Sequence, residues 1–193
     1  WDEAQGIMGK ILDHLEIPYK IGIGEAAFYG PKLDIQIKNV HGKEDTLITL
    51  QVDQMLAEKF GMEYVDADGT KKHPYIIHRT SIGCYERTLA LLIEKYAGAF
   101  PVWLAPEQVR VMPIADRHHE AAMAVVKKFE NAGLRVTADC RSEKLGYKLR
   151  EAQLEKIPYM LVMGDKEIEE GTVGVRKRGQ GDIGAMSVDE FLN

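Results

Sequence analysis

The sequence predicts a protein of mixed α/β and α+β class, in which an antiparallel-sheet half, residues 1–100, precedes a mostly parallel α/β domain, residues 101–193. In the first half, apolar and polar residues alternate on both sides of a turn at residues 41–43, which is typical of an antiparallel hairpin. In the second half, strand-like and helix-like segments take turns, which is typical of a largely parallel sheet wrapped by helices. This change of pattern places the domain boundary near residues 98–106.

The elements of the first half follow from apolar residues that recur every three or four positions in a helix and every second position in a strand. Pro18 stops the first helix, and Gly83 precedes the second. The predicted elements are a helix over Asp2–Leu15, strands over Leu33–Val40, Thr46–Val52 and Pro74–Arg79 in one sheet, and a helix over Cys84–Tyr96.

The elements of the second half follow from the same two periodicities. Short apolar, β-rich segments alternate with longer amphipathic segments, and no internal repeat interrupts them. The predicted elements are strands over Val109–Ile114, Leu134–Cys140, Pro158–Met163 and Thr172–Arg178, and helices over Arg117–Ala132, over Glu143–Ile157 and from Val188 onward.

The composition is that of an ordinary globular protein, with 45% hydrophobic and 28% charged residues, which excludes a disordered chain and a disulfide scaffold. The net charge of -5 gives no overall attraction to nucleic acid, but residues 101–193 are nearly neutral, with 14 basic and 15 acidic residues. A local basic patch is therefore still compatible with the sequence. We expect Cys84 and Cys140 to be reduced thiols in a cytoplasmic protein.

Two stretches of the first half carry polar groups in a regular arrangement. Thr49, Gln51 and Asp53 share one parity in their strand, opposite to the apolar residues between them. These three side chains therefore lie on one face of the sheet, as a ligand-binding floor or as a solvated face. The segment Phe28–Lys32, with its aromatic pair, turn and cation, is a surface turn or part of the same site.

Two single residues of the first half, His78 and Arg87, each have a structural and a functional interpretation. His78 ends a strand, where its imidazole binds a metal ion or, as is commoner, serves the structure. Arg87 lies in the first turn of a helix, where its planar guanidinium forms a surface ion pair or holds a purine or phosphate. In the second half, basic residues cluster at 141–150 and 176–178, which fits a solvated helix face and also fits RNA.

Taken together, several segments resemble the threonyl-tRNA synthetase family of class II aminoacyl-tRNA synthetases. The segments are Ala27–Asp34 (Ala-Phe-Tyr-Gly-Pro-Lys-Leu-Asp), Gln51–Asp53, His78–Arg79 and Gly83–Arg87. Ser81–Arg87 is similar to motif 3 of the class, with Ser81 in place of the first glycine. Residues 101–193 resemble the anticodon-binding domain that the threonyl, prolyl, histidyl and glycyl enzymes share.

The resemblance implies a ligase that activates threonine with ATP and Mg2+ and transfers it to the 3′ end of tRNA(Thr). In chemistry of this kind, positioning and charge stabilisation supply most of the catalysis. The family's pattern implies catalytic roles for Lys32 and Arg87, ATP contacts for Thr49 and Arg87, and threonine contacts for Tyr29 and Gln51.

The resemblance also implies a zinc ion, Zn2+, with His78 as one of three protein ligands. Threonine and valine are nearly isosteric, and an apolar pocket separates such a pair by only about 100-fold. A zinc ion that binds both the amino group and the hydroxyl of threonine would reject valine.

In the second domain, the family's base-reading positions correspond to Ser142, Glu167 and Arg176, where Ser142 replaces a frequent asparagine. A carboxylate accepts from an exocyclic amine, and a guanidinium donates to a base edge. The resemblance therefore implies that these residues bind the anticodon.

Motifs 1 and 2 and the two other zinc ligands have no counterpart in the sequence. We therefore interpret the chain as a carboxy-terminal fragment of an enzyme whose parent is a cytoplasmic homodimer. We expect the fragment alone neither to activate threonine nor to hold zinc tightly, because one imidazole does not complete a tetrahedral site. We also expect His78 and Arg87 to line one cavity beside Tyr29. The alternative is a free-standing tRNA-binding module without ligase activity.

Overall fold

The computed structural model describes residues 1–193, which form two compact units, Trp1–Leu91 and Leu92–Asn193. The domain boundary near residues 98–106 stays a prediction. The elements of the first unit, the last of which continues into the second, are α1 (Asp2–His14), β1 (Lys32–Lys38), β2 (Glu44–Asp53), α2 (Leu56–Lys59), β3 (Tyr64–Val65), β4 (Lys71–Lys72), β5 (Ile76–Arg79) and α3 (Tyr85–Tyr96). Those of the second unit are β6 (Val109–Pro113), α4 (His119–Asn131), β7 (Val136–Ala138), α5 (Leu145–Leu154), β8 (Tyr159–Met163), α6 (Asp165–Glu170), β9 (Thr172–Lys177), β10 (Gly181–Ser187) and α7 (Val188–Leu192).

The main sheet of the first unit is antiparallel, with the strand order β1-β2-β5. The hairpin and the return of the third strand to the same sheet are confirmed. Lys32 and His78 lie opposite Gln51, one on each side of β2. Because residues directly opposite each other project to the same side of a sheet, these three side chains share one face.

A β-bulge interrupts the pairing of β1 with β2, and the alternation of apolar and polar residues does not predict it. The register shifts after Ile35, so that Gln36 pairs with Thr46 and Leu47 is the extra residue. The Gln36 side-chain amide donates to the Thr46 hydroxyl at 2.9 Å. Thr46 therefore lies on the same face as Thr49, although strict alternation along β2 would place the two on opposite faces.

The second unit contains a mixed sheet with the strand order β10-β9-β8-β6-β7. β6 runs parallel to β7 and β8, whereas β9 and β10 are antiparallel to their neighbours. The predicted fold class is confirmed; the sheet is parallel over β6, β7 and β8, and its last two strands run antiparallel. Only residues 164–171 connect β8 with β9, and a parallel crossover needs a dozen residues or more. Gly171, at a φ of +67°, turns the chain back beside β8.

Helices cover both faces of this sheet. The face under α4 is formed by buried residues of four strands, which surround Phe129. The opposite face packs Met112 and Met160 against Ala152 of α5 and against Ile157. Because β6, β7 and β8 are parallel, their carboxyl ends meet at one edge, which we call the carboxyl edge. No helix of the chain combines the length and apolarity that a membrane span requires.

Candidate functional site

Polar side chains of three strands share one face of the first unit's sheet. We call this set the polar face; it consists of Lys32, Asp34 and Gln36 from β1, Thr46, Thr49, Gln51 and Asp53 from β2, and His78 from β5. The Thr49 hydroxyl donates to Asp34 Oδ1 at 2.8 Å, and Lys32 Nζ lies 2.6 Å from Asp34 Oδ2. Asp34, to which the sequence analysis assigned no role, therefore connects two of the predicted site residues.

The Phe28–Lys32 segment is fixed against β2. The Tyr29 hydroxyl donates to Gln51 Oε1, and the Tyr29 ring lies 5.5 Å from the His78 ring between centroids. A Cβ atom on Gly30 would lie 1.7 Å from the Val52 carbonyl oxygen, so the backbone approach requires glycine. Tyr29, Gln51 and His78 therefore form one cluster at this end of the polar face.

Asp53 holds the imidazole of His78. Its carboxylate is fully buried, and Oδ2 lies 2.9 Å from His78 Nε2, while Oδ1 accepts from the backbone N–H groups of Met55 and Leu56. Burial opposes ionisation of Asp53, but these hydrogen bonds outweigh it and lower its pKa. Because an ionised carboxylate only accepts, His78 Nε2 carries the hydrogen and Nδ1 keeps its lone pair.

This tautomer suits a metal ligand, since ligating histidines commonly donate their second N–H to a carboxylate. However, no group of three or more His, Cys, Asp or Glu side chains is arranged to hold a metal ion. Zinc sites need at least three protein ligands. His78 fits the chemistry of one zinc ligand, but the described residues do not form a zinc site.

Arg87 lies at the other end of the polar face. Its Nη1 donates to the Thr46 carbonyl at 2.9 Å. Gly83, at a φ of +77°, brings the start of α3 close to the bulge, where a Cβ atom would lie 2.2 Å from the Leu47 carbonyl oxygen. Thr46 precedes Gln51 by five residues, or about 16 Å of strand. A ligand that touches both Arg87 and His78 must be elongated, and the cavity expected to join them stays a prediction.

The predicted anticodon residues occupy three positions in the second unit. Ser142 follows β7 and Glu167 follows β8, both at the carboxyl edge. Arg176 lies inside β9, opposite Met160 of β8. Because Met160 is the second residue of β8, Arg176 lies near the amino end of that strand, whereas Ser142 and Glu167 share the carboxyl edge. Such an arrangement suits the splayed bases of a single-stranded loop better than one compact ligand.

Glu167 and Arg176 differ in how many of their polar side-chain atoms already form hydrogen bonds within the protein. Glu167 Oε2 accepts from the backbone N–H of Gly164 at 2.9 Å, so this oxygen caps its own helix. Arg176 Nη1 lies 3.3 Å from Asp182 Oδ2, whereas its Nε atom is buried without a hydrogen-bond partner. Buried donors without partners are rare in folded proteins. The Arg176 side chain is 31% exposed, so atoms of its guanidinium other than Nε are accessible to a ligand.

The start of α6 is anchored to the loop after β6. His118 is buried, accepts at Nδ1 from the backbone N–H of Ala115, and has Nε2 2.8 Å from Asp165 Oδ1. Arg117 Nε donates to the same carboxylate at 2.9 Å. Hydrogen bonds from Arg117 and then His118 lower the pKa of Asp165. This cluster positions the helix turn that carries Glu167.

One basic residue departs from the solvated helix face considered for residues 141–150. Lys148 is only 2% exposed. Leu145, Leu149 and Ala152 pack in the core beneath α5 at the spacing that places Lys148 among them. That spacing is the signal in the sequence that could have identified a buried lysine.

Comparison with known proteins assigns both units. Residues 4–96 match the tRNA synthetase class II core domain (G, H, P, S and T), and residues 108–193 match the anticodon binding domain. The whole chain is 60% identical to threonine–tRNA ligase of Clostridium perfringens strain 13 and 50% identical to that of Listeria monocytogenes. It spans only 30% of the length of these relatives.

Two solved structures share the fold. The RNA binding domain of threonyl-tRNA synthetase from Cryptosporidium parvum superposes with a TM-score of 0.91 at 31% identity, over 100% of this chain and 49% of that one. Prolyl-tRNA synthetase of the same organism gives a TM-score of 0.71 at 23% identity, over 89% and 37% of the two chains, and shows likeness of fold alone. Residues 4–96 are thus similar to the class II tRNA synthetase core family, residues 108–193 are similar to the anticodon-binding domain family, and the whole chain is similar to a part of threonine–tRNA ligases.

Proposed function

We propose that the chain is the part of a threonine–tRNA ligase that contributes one side of the activation site and binds the anticodon of tRNA(Thr). The observation that carries this proposal is the polar face, where Tyr29, Gln51 and His78 cluster at one end and Arg87 lies at the other. An amino acid joined to a nucleotide has the elongated shape that such a face requires. The 60% identity to threonine–tRNA ligases supports threonine as the amino acid.

Within this proposal each end of the polar face binds one part of the reactants. Tyr29 and Gln51 contact the amino group and side chain of threonine, and Thr49 and Arg87 contact ATP, which enters with Mg2+. Lys32 lies near the reacting phosphate, where Asp34 orients its ammonium group. None of these residues needs to be a nucleophile, because threonine's own carboxylate attacks the α-phosphorus and pyrophosphate leaves.

His78 would present Nδ1 to a zinc ion whose other protein ligands lie outside this chain. Bound zinc would act as a Lewis acid that holds the amino and hydroxyl groups of threonine. The contribution of this chain is to keep the imidazole oriented through Asp53. We further propose that the whole enzyme is a homodimer and works in the cytoplasm, where tRNA is charged.

The anticodon part of the proposal is tested with an Arg176→Ala variant. We expect it to bind tRNA(Thr) much more weakly, with little change for other tRNAs, because the guanidinium donates to a base edge. Arg150→Ala, which removes an exposed arginine of α5, is the matched control. Filter binding with several tRNAs measures the effect. Equal losses for every tRNA would reduce Arg176 to a phosphate contact.

The catalytic part is tested by pyrophosphate exchange with threonine and ATP. We expect the 193-residue chain to remain at background and to retain no stoichiometric zinc after gel filtration, because it supplies a single imidazole. The free-standing tRNA-binding module is the second candidate, since the second unit has a core of its own. In the ligase with its remaining segments, Arg87→Ala should abolish exchange; unchanged exchange would contradict the proposed ATP site.

A further inference from the structure

A pocket of about 260 Å³ opens at the carboxyl edge of the second unit. It lies where β6 and β7 end, and its lining includes Pro113, Ser142, Lys144 and Lys148. In sheets with parallel strands, ligands bind outside the carboxyl ends of those strands. The pocket contains Ser142 but neither Glu167 nor Arg176, so it is a separate part of the anticodon surface.

The ammonium group of Lys148 is buried at this pocket without a carboxylate partner. Its Nζ atom lies 2.9 Å from the Asp139 carbonyl oxygen and 3.4 Å from the Pro113 carbonyl oxygen. An ammonium group has three N–H donors, so the protein leaves one of them without an acceptor. Burying an ammonium group with an unused donor is unfavourable unless another group accepts that hydrogen bond.

Of the charged groups nearby, the Asp139 carboxylate attracts the Lys148 ammonium group through space but forms no hydrogen bond with it. The Asp139 carboxylate is bound by Arg141 at 2.6 Å, and hydrogen bonds from Arg141 are the main cause that lowers the pKa of Asp139. Arg141 also lies 2.6 Å from Glu151, so its guanidinium is engaged with the protein. The pocket lining also includes the cation Lys144 and the carboxylates of Asp116 and Glu143. The pocket therefore suits a ligand that carries both acceptor oxygens and N–H donors, as a nucleobase does.

The volume of the pocket limits the size of the ligand that it can hold. At about 30 Å³ for each water molecule, 260 Å³ corresponds to eight or nine waters, which suits a single base or phosphate group. RNA loops are recognised through bases that are splayed out of the stack. A nucleotide of such a loop combines the right size with carbonyl and phosphate oxygens that accept hydrogen bonds.

We propose that Lys148 donates its remaining N–H to an oxygen of one anticodon-loop nucleotide that binds in this pocket beside Ser142. This inference rests on the proposed tRNA-binding function and adds a binding residue to it. The two carbonyl contacts hold the ammonium group in place before the RNA arrives, so little side-chain entropy is lost on binding. The oxygen belongs to the base or to its phosphate, and the experiment separates the two.

The test uses the 193-residue chain and a labelled anticodon stem-loop of tRNA(Thr), with binding measured by fluorescence anisotropy. Lys148→Met keeps the length of the side chain and removes its charge. We expect its affinity to fall at least about tenfold, as for the loss of a charge-assisted hydrogen bond. Lys127→Met, at an exposed position of α4, is the matched control and should change affinity less than about twofold.

Modified stem-loops identify the oxygen. A base analogue that lacks the contacted carbonyl oxygen, or a methylphosphonate that removes the contacted phosphate charge, should weaken binding to the wild-type chain but not further weaken binding to Lys148→Met. If every modification weakens binding to the wild-type chain and to Lys148→Met by the same factor, Lys148 makes no such contact and the inference is overturned.

Two further measurements keep the result interpretable. If Lys148→Met does not fold, the Nζ resonance of Lys148 in the wild-type chain is followed during stem-loop titration; a shift supports the contact, and an unchanged resonance overturns it. If wild-type binding is selective for tRNA(Thr) but Lys148→Met binds equally well, only this inference fails. If the wild-type chain shows no selectivity at all, the proposed function fails.

Discussion

The two units differ in how they use their apolar side chains. With proline and glycine left aside, the first unit buries only Ala4, Leu12 and Ala57 among its apolar residues, whereas the second unit buries sixteen. Large apolar side chains of the first unit, such as Ile23 at 94% and Phe28 at 75% exposure, remain accessible. The second unit therefore has an apolar core of its own. The first unit has strand pairing and the hydrogen bonds of its polar face but few buried apolar side chains.

The two units differ in whether the candidate binding residues belong to the part of the unit that stabilises its fold. In the second unit, Ser142 and Glu167, which we propose to bind RNA, lie at the edge of a sheet whose two faces are already covered. In the first unit, the candidate substrate residues form a sheet face directly. Burial of a large apolar side chain contributes about 1.5–3 kcal/mol, so the second unit should tolerate changes at its edge better than the first tolerates changes on its polar face.

The largest effect should come from the core itself. Phe129 of α4 is fully buried against the sheet, and Phe129→Ala should lower the free energy of unfolding of the second unit by about 3–5 kcal/mol. Phe28→Ala, which removes an exposed ring of the first unit, should change the free energy of unfolding by less than about 0.5 kcal/mol. Urea denaturation followed by circular dichroism measures both. Similar losses for the two variants would remove the contrast between the units.

A smaller effect should follow from the contact of α3 with the bulge. Gly83 and Gly69 both have positive φ, at +77° and +79°, but only at Gly83 would a Cβ atom meet backbone, 2.2 Å from the Leu47 carbonyl oxygen. Gly83→Ala should therefore destabilise the chain by about 1–3 kcal/mol more than Gly69→Ala. The same denaturation experiment tests this expectation, and equal losses would mean that α3 moves away from the bulge without cost.

The smallest effect concerns the tautomer of the His78 imidazole. Asp53→Asn exchanges the carboxylate for an amide that can donate to His78 Nε2, so the Nε2–H tautomer should lose population to the Nδ1–H form. Long-range proton–nitrogen NMR at a pH where the imidazole is neutral reports the tautomer. Asp34→Asn alters the same face without touching His78 and should leave the tautomer unchanged. An unaltered tautomer in Asp53→Asn would show that Asp53 does not position His78.

The lowered pKa of Asp53 also fixes a direction for pH dependence. A carboxyl whose pKa is lower in the folded than in the unfolded state stabilises the fold above its ordinary pKa of about 4. This contribution is lost as the pH falls through the folded-state value. Wild-type stability should therefore decline on acidification below about pH 4, with a smaller decline in Asp53→Asn, as measured by urea denaturation across pH.

The spacing of apolar and polar residues along the chain predicted those helices and strands that depend on residues close together in the sequence. The alternation in β2 placed Thr49, Gln51 and Asp53 on one face, and the structure confirms that placement. The Asp53–His78 hydrogen bond joins residues 25 positions apart, and no local pattern reports such a contact. The bulge at Leu47 likewise depends on how β1 and β2 align.

In the second unit, the structure differs from the sequence predictions at β10 and at Lys148, and each difference has a physical reason. β10 was not predicted because Gly181 and Gly184 interrupt the alternation on which strand prediction depends. Lys148 was read from its charge as part of a solvated face, although its spacing follows the apolar residues of α5. The roles of Lys32, Tyr29, Ser142 and the other site residues came from resemblance, and they stay predictions.

The antiparallel return of β9 and β10 has a consequence for the order of folding. β8, β9 and β10 pair between near neighbours in the chain, whereas the parallel pair β6–β8 joins residues about fifty positions apart. Closing a long loop takes more entropy than closing a short one, and distant contacts slow folding. The carboxy-terminal meander should therefore acquire amide protection first in pulse-labelling experiments, and the strands whose ends form the Lys148 pocket should come together later.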